Sequence, residues 1–511
     1  MLLRPIAAVT LFAFLGQVIS LVIQIVITAA FGAGSDMDAF LAGNIAPQYI
    51  ITIVMASLSF VFIPVFVEYA ATGKEEGAWQ VASGVITLCM LTMGSLAIGG
   101  VIFARPLLQL ITPGLSPESL NLAVRVAMIT WPTIVATGMV SLLTGIYHSR
   151  GSFYWPAAVP VIGGLVNLGM VAVLARPLGV LGVALATTTN LALQATLLLP
   201  IARGPGRIRL IPNLRHPGVR QVVHLLWPLV LASIFTRWTP LIDCYLASRL
   251  GEGAISHLGY AFKLTVLYSV LISTGISTVI FPRLALDTAG DNNMAGLRHT
   301  ISWGLRGVWL AAAPAIFLGW ALALPLVTSL FRRGHFSAAD AHTVAVVFQV
   351  YLFALGGMCL GTITGRVLYA LKYTRLVAVM GVLEAVAYVF YTPLLAKLWG
   401  IFGIAGGYGL YYGLSTLWVI FFIRYKTGNV GGLTVLRSFI KTTFAALIGG
   451  AAAWAIATSL PNPLLQLILG GAGGLVGYIV ALIFFRSDEV QFIWKLVPEY
   501  LKKLCSCGMT F

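Results

Sequence analysis

The chain has 511 residues, of which 59% are hydrophobic and only 9% are charged. Soluble domains carry about one-quarter charged residues, so this composition excludes a soluble protein and indicates an integral membrane protein. A formal net charge of +16 would also suit nucleic acid binding. In a membrane protein it reflects the bias of Lys and Arg toward cytoplasmic loops and anionic headgroups, so we expect no nucleic acid partner.

Apolar stretches of about 20 or more residues, the length that crosses a bilayer as a helix, recur along the whole chain. They predict an all-α integral membrane protein with about 14 transmembrane helices. We place the spans near residues 5–31, 38–68, 79–104, 120–146, 154–176, 178–201, 220–248, 254–282, 299–325, 339–366, 375–396, 399–424, 436–459 and 464–485. The first span is longer than the apolar part of a secretory signal, so we expect it to be retained.

An even number of spans puts both termini on one side of the membrane. Most Lys and Arg residues, including the run from Arg203 to Arg220, fall on the side that carries the termini. Since positive residues concentrate in cytoplasmic loops, we predict that both termini are cytoplasmic.

Two parts of the chain resemble each other. "FGAGSDMDAF" (31–40) and "LGEGAISHLGY" (250–260) each introduce a long apolar run, and segments 116–150 and 337–370 form a second similar pair. We therefore expect two six-helix parallel-repeat lobes, as in transporters whose halves enclose a substrate path. The predicted domains are an N-lobe (1–216), a C-lobe (217–425), two extra C-terminal helices (426–485) and a cytoplasmic amphipathic tail (486–511).

Motifs of enzymes and ATP-driven pumps are missing from the sequence, which has no H-E-x-x-H, P-loop or G-x-S-x-G. The cysteines show no disulfide or metal-site spacing. They are Cys89, Cys244, Cys359, Cys505 and Cys507. We therefore predict a transporter that is not an enzyme and needs no metal or cofactor, with Na⁺ or H⁺ coupling as an open alternative.

Ionisable side chains inside spans are the main functional candidates, because burying one in hydrocarbon costs at least about 2.5–3.5 kcal/mol. Lys263 lies near the middle of span 8. It suits an anion clamp or a structural pair with Asp243. Arg237 and Asp243 share span 7 with Pro240 between them, about 120° apart on a straight helix, so only a kink or a partner helix would let them meet. Both a cavity-facing and a paired role stay open.

Uncharged polar residues form a stripe on span 1. Gln17, Ser20, Gln24 and Thr28 share one helix face. The stripe could line a sugar-accepting channel, and hydrogen-bonded helix packing is the alternative. Asn44 on span 2 is a further candidate for substrate binding.

Acidic residues supply the ion-coupling candidates. Glu384 shares a stripe with Tyr388 and Tyr391 on span 11, where a carboxylate could bind Na⁺ or H⁺ or form a structural pair, and Asp243 is a second candidate. Asp38 begins span 2 at the outer face. A helix N-terminus stabilises a carboxylate there, so a structural role is favoured.

Several stretches resemble one family. "FGAGSDMDAFLAGNIAPQ", "IPVFVEY", "GIYHSRGSFYWPAAVPVIGGLVN" and "HLGYAFKL…FPRL" are similar in order and spacing to the MurJ (MviN) lipid II flippases of the MOP (multidrug/oligosaccharidyl-lipid/polysaccharide) exporter superfamily. The resemblance covers essentially the full chain. It implies a V-shaped two-lobed body with a cationic cavity and a groove made with spans 13 and 14. Lys263 matches a basic cavity position of the family, and Asp38 matches its acidic residue at the head of span 2.

The resemblance also implies location, substrate and partners. Such a protein lies in the bacterial inner (plasma) membrane and carries an undecaprenyl-pyrophosphate-linked saccharide to the outer leaflet by alternating access. Its implied partners are this glycan substrate, membrane lipids and glycan-synthesis proteins.

This sequence departs from the family pattern in its first half. Where the family has two arginines and an aspartate on span 1, the chain has Gln17, Ile23 and Gln24, and residues 50–52 replace an arginine pair. A pyrophosphate carries about two charges, so fewer cations predict weaker binding or binding from the C-lobe alone. We therefore expect a lipid-linked glycan such as a capsule, exopolysaccharide or O-antigen unit, with lipid II a close second.

On this hypothesis Lys263 meets the phosphate and the stripe on span 1 meets the saccharide. The alternatives are a cation-coupled drug or small-molecule antiporter of the same superfamily and a non-transporting membrane scaffold. Spans 13 and 14 favour the lipid substrate, because 12 helices suffice for the antiporters.

Overall fold

The computed structural model describes the backbone of residues 3–71, 75–203, 216–289, 294–371 and 373–486. Within these ranges every long element is an α-helix and there is no strand, which confirms the predicted all-α membrane fold. The α-helices of the first half are α1 (Leu3–Phe31), α2 (Ser35–Ala71), α3 (Glu75–Ile102), α4 (Ala104–Ile111), α5 (Pro117–Thr130), α6 (Thr133–Ser149), α7 (Tyr154–Leu178) and α8 (Val180–Leu198). The predicted tail lies outside the described residues from residue 487 onward.

The second half continues with nine α-helices in the described residues. They are α9 (Pro217–Thr236), α10 (Thr239–Ser248), α11 (Ala254–Ala289), α12 (Met294–Ala321), α13 (Ala323–Phe331), α14 (Ala338–Ala370), α15 (Thr374–Thr427), α16 (Gly432–Thr458) and α17 (Pro463–Phe484).

The number of membrane crossings follows from the length of α15. Thirteen helices in the described ranges are long and apolar enough to span a bilayer, and one of them, Arg375–Thr427, has 53 residues. At 1.5 Å per residue this is about 80 Å, enough for two crossings of a hydrocarbon core of about 30 Å. The backbone leaves the helical conformation at Gly400 (φ 57°), and the Tyr391 hydroxyl donates to the Gly407 carbonyl at 3.1 Å. The two parts of α15 therefore lie side by side, which gives the predicted 14 crossings.

The same hairpin occurs in the first half. Gly179 between α7 and α8 has φ 59° and ψ −144°, close to φ 57° and ψ −132° at Gly400. Such a positive φ favours glycine. Three residues later, a Cβ atom at Gly182 would clash with the carbonyl of Leu174, and one at Gly403 with that of Leu395. A long helix followed by a short one also recurs, in α3–α4 and in α12–α13. The repeated order agrees with a duplicated chain, while the lobe boundaries stay a prediction.

The chain forms two compact units. The first comprises Met1–His257, Phe331–Asp340 and Gly381–Val389, and the second comprises Leu258–Leu330, Ala341–Met380 and Phe390–Phe511. The core of the first unit is a buried cluster between α2, α3 and α6. Its largest members include Phe62, Phe66, Trp79, Ile86, Leu142 and Ile146.

In the second unit the two C-terminal helices pack closely through small residues. A Cβ atom at Gly449 of α16 would lie 2.6 Å from the carbonyl oxygen of Gly474 of α17, as in membrane helices whose backbones approach through glycines. The Tyr478 hydroxyl donates to the Leu310 carbonyl at 2.7 Å, which fixes α17 to α12. The extra helices are thus joined to α12 as well as to each other.

Two predicted spans consist of two consecutive helices each. Span 4 divides into α5 and α6 at Trp131–Pro132, and span 7 divides into α9 and α10 at Arg237–Trp238. A proline follows each break closely, since Pro132 precedes α6 directly and Pro240 lies in the first turn of α10. Proline has no N–H for the preceding turn, which explains why the helix ends before it. Apolar periodicity does not reveal such breaks.

Candidate functional site

The starts of α2 and α11 cap each other in the first unit. Asp38 accepts hydrogen bonds from the Gly253 N–H at 2.6 Å, the Ser256 N–H at 2.8 Å and the Ser256 hydroxyl at 2.6 Å. In return, the Glu252 carboxylate accepts from the N–H of Ser35 at 2.9 Å. The first N–H groups of a helix lack partners inside it and carry partial positive charge, so each carboxylate stabilises the start of the other helix.

Glycines allow these two helix starts to touch. Gly32 and Gly253 have φ of 65° and 83°. A Cβ atom at Gly253 would lie 2.7 Å from the carbonyl oxygen of Ala33. Because the backbones are already in contact, a larger residue at Gly253 would force the helix starts apart.

A third helix start joins the same region. One oxygen of Asp340 accepts from the N–H and hydroxyl of Ser337 at 3.0 and 2.6 Å, and the other contacts His257 Nε2 at 2.9 Å. The N–H of His335 donates to the Ala29 carbonyl at 3.0 Å. We call residues 29–38, 250–257 and 333–340 the capping cluster.

Sequence reasoning found only Asp38 in this cluster and assigned it to the start of its own helix. Glu252, His257 and Asp340 were missed. The S-x-x-D pattern at 337–340 is a capping-box signal that could have indicated Asp340. The contacts of Asp38 and Glu252 join residues more than 200 positions apart, and no sequence motif indicates them.

The break in span 7 is stabilised from α2. At the end of α9 the Ile234 carbonyl needs a donor from outside the helix, and the Tyr49 hydroxyl supplies it at 2.6 Å. Arg237 occupies the break with a non-helical backbone and an exposed side chain. Gly381 lies against this end, because a Cβ atom there would be 2.6 Å from Thr236 Cγ2.

Asp243 on α10 is bonded to α15. Its carboxylate accepts a hydrogen bond from the Tyr388 hydroxyl. Asp243 is partly buried and Tyr388 fully so. Glu384 precedes Tyr388 by one helical turn and is also partly buried. The two predicted ion-coupling residues, Asp243 and Glu384, thus lie in the same unit. Tyr388, which shares the predicted stripe with Glu384, is the observed partner of Asp243.

The predicted stripe on α1 is half open. Gln17 is exposed and Ser20 is partly buried, whereas Gln24 and Thr28 are 5% and 0% exposed. The Thr28 hydroxyl donates to the carbonyl of Gln24 at 2.9 Å. The end with Gln17 is therefore accessible to a ligand, and the end with Thr28 is packed. Asn44 on α2 is partly buried.

Lys263 belongs to the second unit and is exposed. It lies nine residues into α11, about 14 Å from the start of the helix. Its neighbour Phe262 packs against Tyr351 and Tyr408, with ring centroids 5.6 and 5.1 Å apart. Sequence reasoning missed this aromatic cluster, although the "YGLYYG" run at 408–413 could have indicated it. The rings hold this part of α11 in place beside the side chain of Lys263.

The described residues contain no group of three or more His, Cys, Asp or Glu side chains able to hold a metal ion. Cys89, Cys244 and Cys359 are buried free thiols.

Loss of the Asp38 charge should loosen the capping cluster. In Asp38→Asn the amide cannot accept all three hydrogen bonds, so we expect hydrogen exchange at the Gly253 and Ser256 amides to rise about fivefold, as a lost cap costs about 1 kcal/mol. Hydrogen–deuterium exchange of the purified protein measures this. The control is Asp36→Asn, because Asp36 is exposed on the same helix turn. Equal protection in both variants would contradict the capping role.

Comparison with known proteins gives the family. A family model described as "Lipid II flippase MurJ" matches residues 27–469. Lipid II flippase MurJ of Burkholderia cenocepacia is 28% identical over 471 residues, covering 88% of both chains. A probable lipid II flippase MurJ of Bdellovibrio bacteriovorus is 27% identical over 358 residues, covering 68% of both.

Solved structures share the fold. A lipid II flippase MurJ in an inward closed conformation has a TM-score of 0.81 and 18% identity, covering 94% of this chain and 98% of the other. An inward-facing multidrug resistance MATE family transporter of the MOP superfamily has a TM-score of 0.69 and 15% identity, with coverage of 81% and 96%. With the family model matching most of its length, the chain belongs to the MurJ family of lipid flippases, and it is a multi-pass inner-membrane transporter and not an enzyme.

Proposed function

We propose that the chain is a lipid II flippase, which carries this undecaprenyl-pyrophosphate-linked saccharide from the cytoplasmic to the outer leaflet by alternating access. The observation that carries the proposal is the family match, which runs from α1 through both halves to residue 469 in α17. Relatives of nearly the same length are named lipid II flippases. This revises our sequence-based preference for another lipid-linked glycan, which becomes the second candidate.

The capping cluster supports a role as a reversible outer closure. Its hydrogen bonds join the start of α2 to the start of α11, and the start of α11 to the start of α14. The carboxylates of Asp38 and Glu252 hold the first of these contacts from both sides. Separating the helix starts would exchange these bonds for bonds to water at the outer membrane surface. Such an exchange costs little net energy per bond, which suits an element that must open in every cycle.

Lys263 is proposed to bind phosphate, and the α1 stripe is proposed to bind sugar. The exposed ammonium of Lys263 offers a charge-assisted bond to phosphate. The exposed amide of Gln17 suits sugar hydroxyls, with Ser20, Gln24 and Asn44 as further polar candidates. Arg237, exposed at the break in span 7, is a second candidate cation.

Both termini are proposed to be cytoplasmic, because Lys and Arg concentrate on their side of the membrane. Glycan-synthesis proteins are proposed partners, since the substrate is assembled at that surface. Membrane lipids surround the exposed apolar helix faces.

Depletion of the protein in its host should identify the glycan. We expect lipid II to accumulate on the inner leaflet and the cells to lyse, because murein synthesis would lose its precursor. Extraction and mass spectrometry of undecaprenyl-linked intermediates measure this.

Accumulation of a different linked saccharide in viable cells would contradict lipid II and support the second candidate, which the neutral residues Gln17 and Gln24 favour. Unchanged levels of every linked saccharide would contradict a flippase and point to an antiporter or a scaffold.

Removal of the Lys263 charge should impair transport. We expect Lys263→Ala to lower the rate of lipid II flipping in proteoliposomes about tenfold or more, since a hydrogen bond to a charged group is worth about 1.5–3 kcal/mol. Lys263→Arg keeps the charge and should retain most of the rate. Lys397→Ala, which removes another exposed lysine, is the control. Full transport by Lys263→Ala would defeat the phosphate role.

Asp243 and Glu384 are the proposed ion-coupling residues, with the Tyr388 hydroxyl bonded to Asp243. We expect Asp243→Asn to abolish the dependence of flipping on a Na⁺ or pH gradient, because the amide can neither bind a cation strongly nor take up a proton. Imposing each gradient separately on proteoliposomes identifies the ion. Glu118→Gln removes an exposed carboxylate elsewhere and should keep the dependence. Retention of the dependence in Asp243→Asn would exclude this residue.

A further inference from the structure

A pocket lies along one face of α9, outside the candidate site described above. Its volume is about 760 Å³. It is lined by Pro217, Val219, Arg220, Gln221, Val223, His224 and Trp227, all within the first three turns of α9. A volume of this size accommodates a lipid headgroup.

The lining residues change in character along the helix. Arg220, His224, Trp227 and Leu231 share one face at offsets of 4, 7 and 11, and all four side chains are exposed. At 1.5 Å per residue, Trp227 lies about 10 Å and Leu231 about 16 Å beyond Arg220. One leaflet of hydrocarbon is about 15 Å thick, so the stripe covers the depth from headgroup to leaflet centre.

Each level of this stripe suits one part of a phospholipid. Arg220 and His224 can donate to phosphate oxygens. Trp227 is 53% exposed, and its amphipathic ring is typical of the headgroup boundary. Leu231, 46% exposed, continues as an apolar surface for an acyl chain.

The start of α9 is fixed to α2 beside the pocket. The side-chain amide of Gln221 donates to the Glu68 carboxylate at 3.3 Å. His216 accepts from the Gly218 N–H at 3.2 Å and packs against Tyr69.

We propose that this pocket is a binding site for an anionic phospholipid, with the phosphate at Arg220 and His224 and the acyl ester region at Trp227. Charge complementarity favours this occupant over the substrate. Arg220 supplies one full positive charge, which matches a phosphodiester, whereas a pyrophosphate carries about two negative charges. The same positions fall at the end of span 7 that the Lys and Arg distribution assigns to the cytoplasm.

The test is the selectivity of the full chain for spin-labelled phosphatidylglycerol over spin-labelled phosphatidylcholine in reconstituted membranes. Electron paramagnetic resonance gives the immobilised fraction of each lipid. We expect Arg220→Gln to lower this selectivity about fivefold, the effect of one basic residue near an anionic surface. His224→Gln should lower it less, and the double variant most.

Arg375→Gln is the matched control, because Arg375 is exposed in the first turn of α15 and lies outside the pocket. The control should keep the selectivity of the parent chain. Since Arg220 and His224 are exposed, the variants should also keep its melting temperature, which separates lost binding from lost folding.

Three results would overturn the proposal. An equal loss in Arg220→Gln and Arg375→Gln would show general attraction to a charged surface and no local site. Unchanged selectivity in the double variant would show that the lipid binds elsewhere. Displacement of spin-labelled phosphatidylglycerol by undecaprenyl pyrophosphate in the parent chain and not in the double variant would assign the pocket to the substrate.

Discussion

The reciprocal capping of α2 and α11 is the contact on which this end of the first unit depends. Two helix starts that touch would repel each other through their partial positive charges. Asp38 and Glu252 remove this conflict, because each carboxylate lies at the start of the other helix. Glycine at position 253 then permits backbone contact. Close contact of the two helix starts therefore depends both on carboxylates that neutralise their partial positive charges and on a glycine at position 253.

Much of the fold could be predicted from the sequence because hydrocarbon imposes a simple rule on it. A spanning helix needs about 20 apolar residues, so span number and order follow from composition. The turn at Gly400 was also visible as the gap between spans 11 and 12. The breaks at Trp131–Pro132 and Arg237–Trp238 were not predicted, because both sides of each break are apolar and a proline alone does not decide between a kink and an end.

The site was less predictable, since its contacts join distant parts of the chain. Asp243 was identified by its cost inside a span, and Asp38 by its place at a helix N-terminus, which are both local properties. Their partners, Ser256 and Tyr388, are ordinary polar residues of apolar helices. Only the fold distinguishes them from similar residues elsewhere. Tyr388 was noticed as a member of a stripe, and periodicity could not tell that it faces Asp243.

The two similar segments at the starts of α2 and α11 carry different chemistry at one aligned position. Aligning Gly32 with Gly251 puts Asp38 opposite His257. Asp38 accepts three hydrogen bonds from the start of α11, and His257 bonds to Asp340 at the start of α14. Each residue therefore ties its helix to the start of another. If both positions held aspartate, the second would face Asp340 as a like charge, and repulsion would open the third helix start. Histidine at position 257 avoids this repulsion, so the contact with Asp340 requires the two similar segments to differ at this position.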